Sequence, residues 1–155
     1  MNMNDDKTKF LIPGAFLNSP GFLLNQASRL LSHQIEQTLK PAGLTIQQFG
    51  LLRIIAAEGP ITQNVFAAKY NVDRTTVTEI VDGMEERGLV SRQKSAKDRR
   101  CNDLFLTPGG KRLLARAQKM VEKTNQQFLS ALSAGEWNEL RESLVKLITA
   151  NAHTV

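Results

Sequence analysis

Three residues, Asn71, Val72 and Asp73, are all that separate two stretches of helical periodicity, and this shortage constrains the fold more than any other feature. A linker of that length leaves room only for a tight turn, which makes the pair a helix-turn-helix unit. The first of the two helices is short, can be capped by Thr62, and includes Val65, Ala68 and Tyr70. Asp73 caps the second, where Val77, Ile80, Val81 and Met84 recur at helical spacing and Gly88 stands as a left-handed terminator.

After Gly88 the period changes. Leu89 and Val90 begin a strand, Leu104, Phe105 and Leu106 return as another, and a basic run forms the connecting loop. From residue 92 to residue 100 that run sets Arg92, Lys94, Lys97, Arg99 and Arg100 against Asp98 alone, a net charge of +4 in nine positions. Residues 73 to 88 carry Arg74 and Arg87 against Asp73, Glu79, Asp82, Glu85 and Glu86, a net charge of −3. A basic loop by itself is most often a solvated surface. Directly after a helix-turn-helix it becomes a wing whose cations a polyanion would neutralise, able to reach a phosphate backbone or to place arginine in a narrow minor groove. The fold class is therefore mainly α with a small β-hairpin wing: a winged helix-turn-helix plus an α-helical dimerisation region.

Three amphipathic helices surround this lobe. Ser19-Pro20 starts one that runs to about Lys40, with Leu23, Ala27, Leu30, Leu31 and Ile35 inward. "TIQQ", residues 45 to 48, is a capping box for the helix that opens the lobe, with Ile46, Phe49, Leu52 and Ile55 on one stripe. Thr107-Pro108 starts a long helix bearing Leu113, Leu114, Ala117, Met120, Val121, Phe128 and Leu132. "SAGE", residues 133 to 136, opens the last, with Trp137, Leu140, Leu144, Leu147 and Ile148. The division expected is one domain over residues 1–155, with the winged lobe at about 45–107, dimerisation helices at about 20–40 and 108–153, and an N-terminal arm at 1–18. A lobe of about sixty residues cannot cover that much apolar stripe. Two copies interdigitating these helices would set two recognition helices one DNA turn apart, roughly 34 to 36 Å, on a pseudo-palindromic operator.

Candidate contacts follow from this outline. Arg74, Thr75, Thr76 and Thr78 lie at or near the N-terminal end of the second helix and off its apolar stripe, where arginine can pair with guanine and threonine can bond base edges or touch a thymine methyl. The threonines can equally serve to cap and start the helix. Thr62 and Gln63 suit phosphate contact. The wing adds Arg92, Lys94, Lys97, Arg99 and Arg100.

The stretches "GLTIQQFGLLRII", "TQNVFAAKYNVDRTTVTEIVDGMEERGLVSRQ" and "DRRCNDLFLTPGGKRLL" resemble the MarR family of bacterial and archaeal transcriptional regulators. The wing pattern D-x-R followed by L-T falls on Asp98, Arg100, Leu106 and Thr107, and the likeness runs from about Pro20 to the C-terminus. It implies a homodimeric, sequence-specific double-stranded DNA-binding protein, usually a repressor, released by a small aromatic or phenolic effector. It also implies that Asp98 orients a wing arginine and that Arg100 contacts DNA. Glu79 stands where many relatives carry a basic or neutral residue. The effector pocket would lie between the dimerisation helices and the lobe, with His33 and Phe49 as candidate walls. An ordinary surface histidine and a plain core phenylalanine are the competing readings of those two.

Other classes find less support. The two histidines, His33 and His153, accompany no nucleophile motif or H-E-x-x-H, and "PGGKR" lacks the first glycine of a P-loop, so no enzyme is expected. No cofactor and no metal site are expected. The single cysteine, Cys101, excludes an intrachain disulfide and argues for a reducing compartment. Two adjacent arginines could favour its thiolate, which leaves redox sensing through Cys101 as an alternative, although peroxide-sensing relatives carry their cysteine near the first helix. A winged module that binds protein without DNA is the other alternative. The uncharged run from Phe10 to Ser28 is broken by Pro13, Gly14, Pro20 and Gly21 and does not span a bilayer. The expected location is the bacterial or archaeal cytoplasm, on the nucleoid when DNA-bound.

Overall fold

The structure is a computed structural model and describes residues 12–70, 72–96 and 100–152. Its elements run α1 (Pro20–Leu39), α2 (Ile46–Glu58), β1 (Ile61–Thr62), α3 (Gln63–Tyr70), α4 (Arg74–Glu86), β2 (Val90–Lys94), β3 (Asn102–Leu106), α5 (Pro108–Phe128) and α6 (Ala134–Asn151). The helix starts are those the sequence names. Ser19 accepts the Phe22 N–H, Asp73 the Thr76 N–H and Thr107 the Gly110 N–H, while Thr45–Gln48 and Ser133–Glu136 close full capping boxes. Each such cap contributes about 1 kcal/mol. Gly43 (φ 63°) and Gly88 (φ 64°) take the left-handed conformation that ends the turn after α1 and the turn after α4.

The strands form one antiparallel sheet in the order β1-β3-β2, with Ile61 opposite Leu104 and Arg92 also opposite Leu104 on the other side. Two features depart from the sequence reading. Ile61-Thr62 is a third strand, too short to carry an alternation signal. Arg92 and Lys94 belong to β2 rather than to the connecting loop, because the hairpin pairing continues as far as Lys94 opposite Asn102.

The core centres on the winged lobe, where Phe66, Leu51, Leu52, Met84, Leu104, Val77, Val81 and Val90 are shut off from solvent, and Leu39 at the end of α1 joins it. Phe66, the largest of them, has no place in the sequence reading. Helix α5 adds Leu114, Ala117 and Val121. It sits so close that a Cβ on Gly110 would stand 2.0 Å from the Leu89 carbonyl oxygen.

The inward face predicted for α1 is corrected in part: Ile35 packs against the core, but the residues nearer its start do not. Leu39 is its one buried residue, whereas Leu23, Leu24 and Leu30 are 36 %, 48 % and 48 % exposed. Near its C-terminal end α1 meets α5 at the Thr38–Thr124 hydroxyl pair, 2.7 Å apart. Helix α6 has no buried residue over its 18 positions, and Leu140, Val145, Leu147 and Ile148 are exposed. The apolar stripes are where the sequence puts them, but this protomer does not cover them.

Candidate nucleic-acid interface

Helix α4 is held from below by burial of Val77, Val81 and Met84, which leaves its opposite face and N-terminal end outward. Arg74, Thr75, Thr78 and Glu79 are exposed there. The first turn is fixed by Asp73, which accepts both the Thr76 amide at 2.9 Å and the Thr76 hydroxyl. That hydroxyl first, and then the amide, holds the Asp73 carboxyl below the ordinary carboxylate range. Thr76 is therefore tied into the cap, while Thr75 presents its side chain outward. Thr78 donates to the Arg74 carbonyl at 2.9 Å and accepts from Gln63 Nε2 at 3.4 Å. Thr62 accepts the Val65 amide at 3.3 Å, so its hydroxyl starts α3. Gln63, at the first position of α3, stands between α4 and β2 rather than projecting alone.

The wing follows directly. Lys94 is exposed at the end of β2, and Arg100 is exposed just before β3. The Ser95 N–H donates to the Cys101 carbonyl at 3.1 Å and closes the base of the loop. Lys97, Asp98 and Arg99 lie outside the described residues.

Arg92 is a second correction. The sequence groups it with the phosphate-reaching cations, but three of its donors are engaged within the protein. Nη1 donates to Glu85 Oε2 at 2.6 Å, Nε to Gln63 Oε1 at 3.3 Å, and Nη2 to Asp82 Oδ1. Its backbone N–H donates to the other Glu85 oxygen at 2.9 Å. That amide, followed by the guanidinium, holds the Glu85 carboxyl below its ordinary value. The pairing explains part of the acidic balance of residues 73 to 88, because two of the five carboxylates face the wing strand and share the single positive charge of Arg92. Two carboxylates three residues apart on one helix face, followed by a strand that folds straight back, are the sequence signal for this pairing.

The effector candidates separate. His33 is exposed on α1 and lines a groove of about 580 Å³ with Gln34, Gln37, Thr38, Thr124, Gln127 and Phe128. Phe49 is 5 % exposed, belongs to the core, and carries the Arg53 guanidinium 5.6 Å above its ring. It is not a wall of that groove. A different cleft of about 480 Å³ opens between α2, β3 and α5, with Ile55, Pro60, Phe105, Leu106 and Leu114 as apolar wall and Lys111 beside them. An adjoining cavity of about 500 Å³ shares Ala56 and Gln118 with it and adds Arg53.

Among the described residues no group of three or more His, Cys, Asp or Glu side chains could hold a metal ion. No described helix is long and apolar enough to cross a membrane.

This arrangement has relatives. The family model for MarR matches residues 44–102, from two residues before α2 to the first residue of β3. A putative transcriptional regulatory protein for the hcr operon of Thauera aromatica is 31 % identical over 145 residues, 93 % of this chain and 87 % of that protein. An HTH-type transcriptional repressor of Mycobacterium tuberculosis is 27 % identical, covering 82 % of this chain and 91 % of the repressor. Among solved structures, CouR from Rhodococcus jostii RHA1, bound to p-coumaroyl-CoA, superposes with a TM-score of 0.77 at 26 % identity, over 86 % of this chain and 94 % of CouR. A mutant of E. coli MarR complexed with operator DNA has the same fold, with a TM-score of 0.76 at 24 % identity, over 91 % of this chain and 97 % of that one. With most of the winged lobe inside the family model and 93 % of the chain aligned at 31 % identity to a transcriptional regulatory protein, the chain belongs to the MarR family of transcriptional regulators.

Proposed function

We propose that this regulator is a homodimeric repressor that reads a pseudo-palindromic operator with paired α4 helices and grips flanking phosphates with its wings. The observation that carries the reading is the outward N-terminal end of α4, bearing Arg74, Thr75 and Thr78, beside a hairpin whose exposed cations include Lys94 and Arg100. Arg74, Thr75 and Thr78 would meet base edges or the sugar-phosphate flank, with Thr76 holding the first turn in place through Asp73, and Thr62 and Gln63 would meet the backbone. Lys94, Lys97, Arg99 and Arg100 supply phosphate attraction, with Asp98 orienting an arginine of the wing. The E. coli protein held on operator DNA supports the same use of a shared fold.

The second copy is supported by the uncovered stripes of α1 and α6. Burying a leucine, isoleucine or valine side chain stabilises by about 1.5–3 kcal/mol. Seven such exposed side chains on these two helices, Leu23, Leu24, Leu30, Leu140, Val145, Leu147 and Ile148, make a dimer strongly favourable.

The effector is a small aromatic or phenolic molecule, free or as a thioester, seated in the cleft of α2, β3 and α5. The cleft offers the Phe105 and Leu106 side chains to an apolar ring and Lys111 to an anionic end, and p-coumaroyl-CoA on CouR is a ligand of this kind. A wedge there would change the angle between α5 and the lobe, and so the spacing of the two α4 helices. The protein acts in the cytoplasm, without catalysis of its own.

Footprinting on the segment upstream of the protein's own reading frame tests the DNA reading, and a protected two-part site about one helical turn apart is expected. Absence of any favoured segment would remove it. For the effector, Lys111→Ala should blunt release by p-coumarate or its thioester. Blunting by His33→Ala instead would move the site to the groove between α1 and α5. Peroxide release that disappears in Cys101→Ser would favour redox sensing.

A further inference from the structure

We infer that Arg92 is a positioning residue that locks the wing to the recognition helix, and that Glu85 is its essential counterpart. The geometry is unusual in that one carboxylate grips both the backbone and the side chain of the same residue. Strand β2 is an edge of the sheet, since β3 lies between it and β1. Thr107 N–H to Leu89 carbonyl and Ser95 N–H to Cys101 carbonyl fix which residues of β2 turn their backbone toward β3. By alternation Arg92 turns its N–H outward, to the open edge. An open edge donor needs a partner, and Glu85 Oε1 supplies it at 2.9 Å while Oε2 takes the guanidinium. Asp82 and Gln63 receive the remaining contacts, so one side chain joins β2, α4 and α3.

The consequence rests on the DNA-binding reading above. A wing and a recognition helix must reach flank and groove together, and the offset between them is set where β2 meets α4. A guanidinium fork with fixed acceptors holds that offset more rigidly than apolar contact alone. The guanidinium also offsets part of the negative charge of Asp82 and Glu85, which would otherwise face a polyanion.

Opposite signs separate this role from direct phosphate contact. If Arg92 bound phosphate, Glu85→Ala would release it and remove a repelling charge, and DNA binding would tighten. A lock predicts that Glu85→Ala weakens binding to the upstream duplex roughly tenfold despite the gain in positive charge, that Arg92→Gln does the same, and that the double variant is no weaker than either alone. Unchanged or tighter binding by Glu85→Ala overturns the inference. Amide exchange in the free, full-length protein reads the lock without DNA. The Arg92 amide should exchange roughly tenfold faster in Glu85→Ala, with neighbouring β3 amides unaffected. An unchanged Arg92 amide also overturns it. A wild-type protein that binds no segment, yet shows the accelerated amide in the variant, would place the failure in the DNA reading.

Discussion

Replacing Gly110 with alanine should separate helix α5 from the winged lobe. The added carbon would meet the Leu89 carbonyl oxygen at 2.0 Å, the Leu89 carbonyl carbon at 3.0 Å and Leu106 Cδ2 at 3.4 Å. The first of these is about 1.5 Å inside an ordinary contact. The obstacle is backbone, so no rotamer change relieves it. That backbone is also pinned, because the Thr107 N–H donates to the Leu89 carbonyl at 3.2 Å and the Thr107 hydroxyl to the Gly88 carbonyl at 2.6 Å. The loss therefore belongs at the upper end of overpacking, about 3 kcal/mol. For a chain of this length that is a drop in Tm of about 6–12 °C. Thermal unfolding followed by circular dichroism measures it, at one protomer concentration, because association shifts the apparent Tm. Gly83→Ala is the control: it lies inside α4, its Cβ would meet nothing within 4 Å, and it should stabilise by about 0.5–1 kcal/mol. A Gly110→Ala protein melting within about 2 °C of wild type would refute the claim that α5 and the lobe touch through backbone here.

Two further outcomes are expected. Glu85 has its folded pKa depressed by the Arg92 amide and guanidinium, so folding favours its ionised form. The stability it gives is present above the unfolded carboxylate pKa and is lost as pH falls from there through the lower folded value. Acid titration of wild type against Glu85→Gln should show the difference between them vanishing in that window, and a difference that persists at lower pH would contradict it. On DNA, Arg100→Ala should weaken all sequences similarly and lower the salt slope by about 1 per protomer, while Arg74→Ala should also blur discrimination at one or two base pairs of each half-site. Competition binding across a panel of single-base variants reads both, and equal losses from the two substitutions on every sequence would contradict the assignment of Arg74.

What the sequence made legible was local. Ser19, Thr45, Asp73, Thr107 and Ser133 each carry an N-cap signal that acts within three residues, and every one of these caps forms. The Asn71-Val72-Asp73 linker and Gly88 bound α4 correctly for the same reason. What escaped depends on partners distant in sequence. Arg92 reads as one cation among five until β2 folds back along α4 and brings it to Asp82 and Glu85. Phe66 sits in a helix of eight residues, too short for a stripe to announce that it fills the core. Strand β1 has two residues and takes its identity from Leu104 and Asp103 opposite. The stripe on α1 was legible as apolar, but periodicity does not say whose surface covers it, and Leu23 and Leu30 remain open on this protomer. His33 and Phe49 were paired by analogy of position, and side-chain direction separates them.

The central claim is that cations of the wing and of the recognition helix neutralise operator phosphates. Its most direct test is the affinity for the protected upstream duplex as salt is raised. With about 6 to 10 phosphates neutralised per dimer, log affinity should fall against log salt with a slope of about −5 to −9. A slope near zero, or the same affinity for every duplex at every salt concentration, would contradict it.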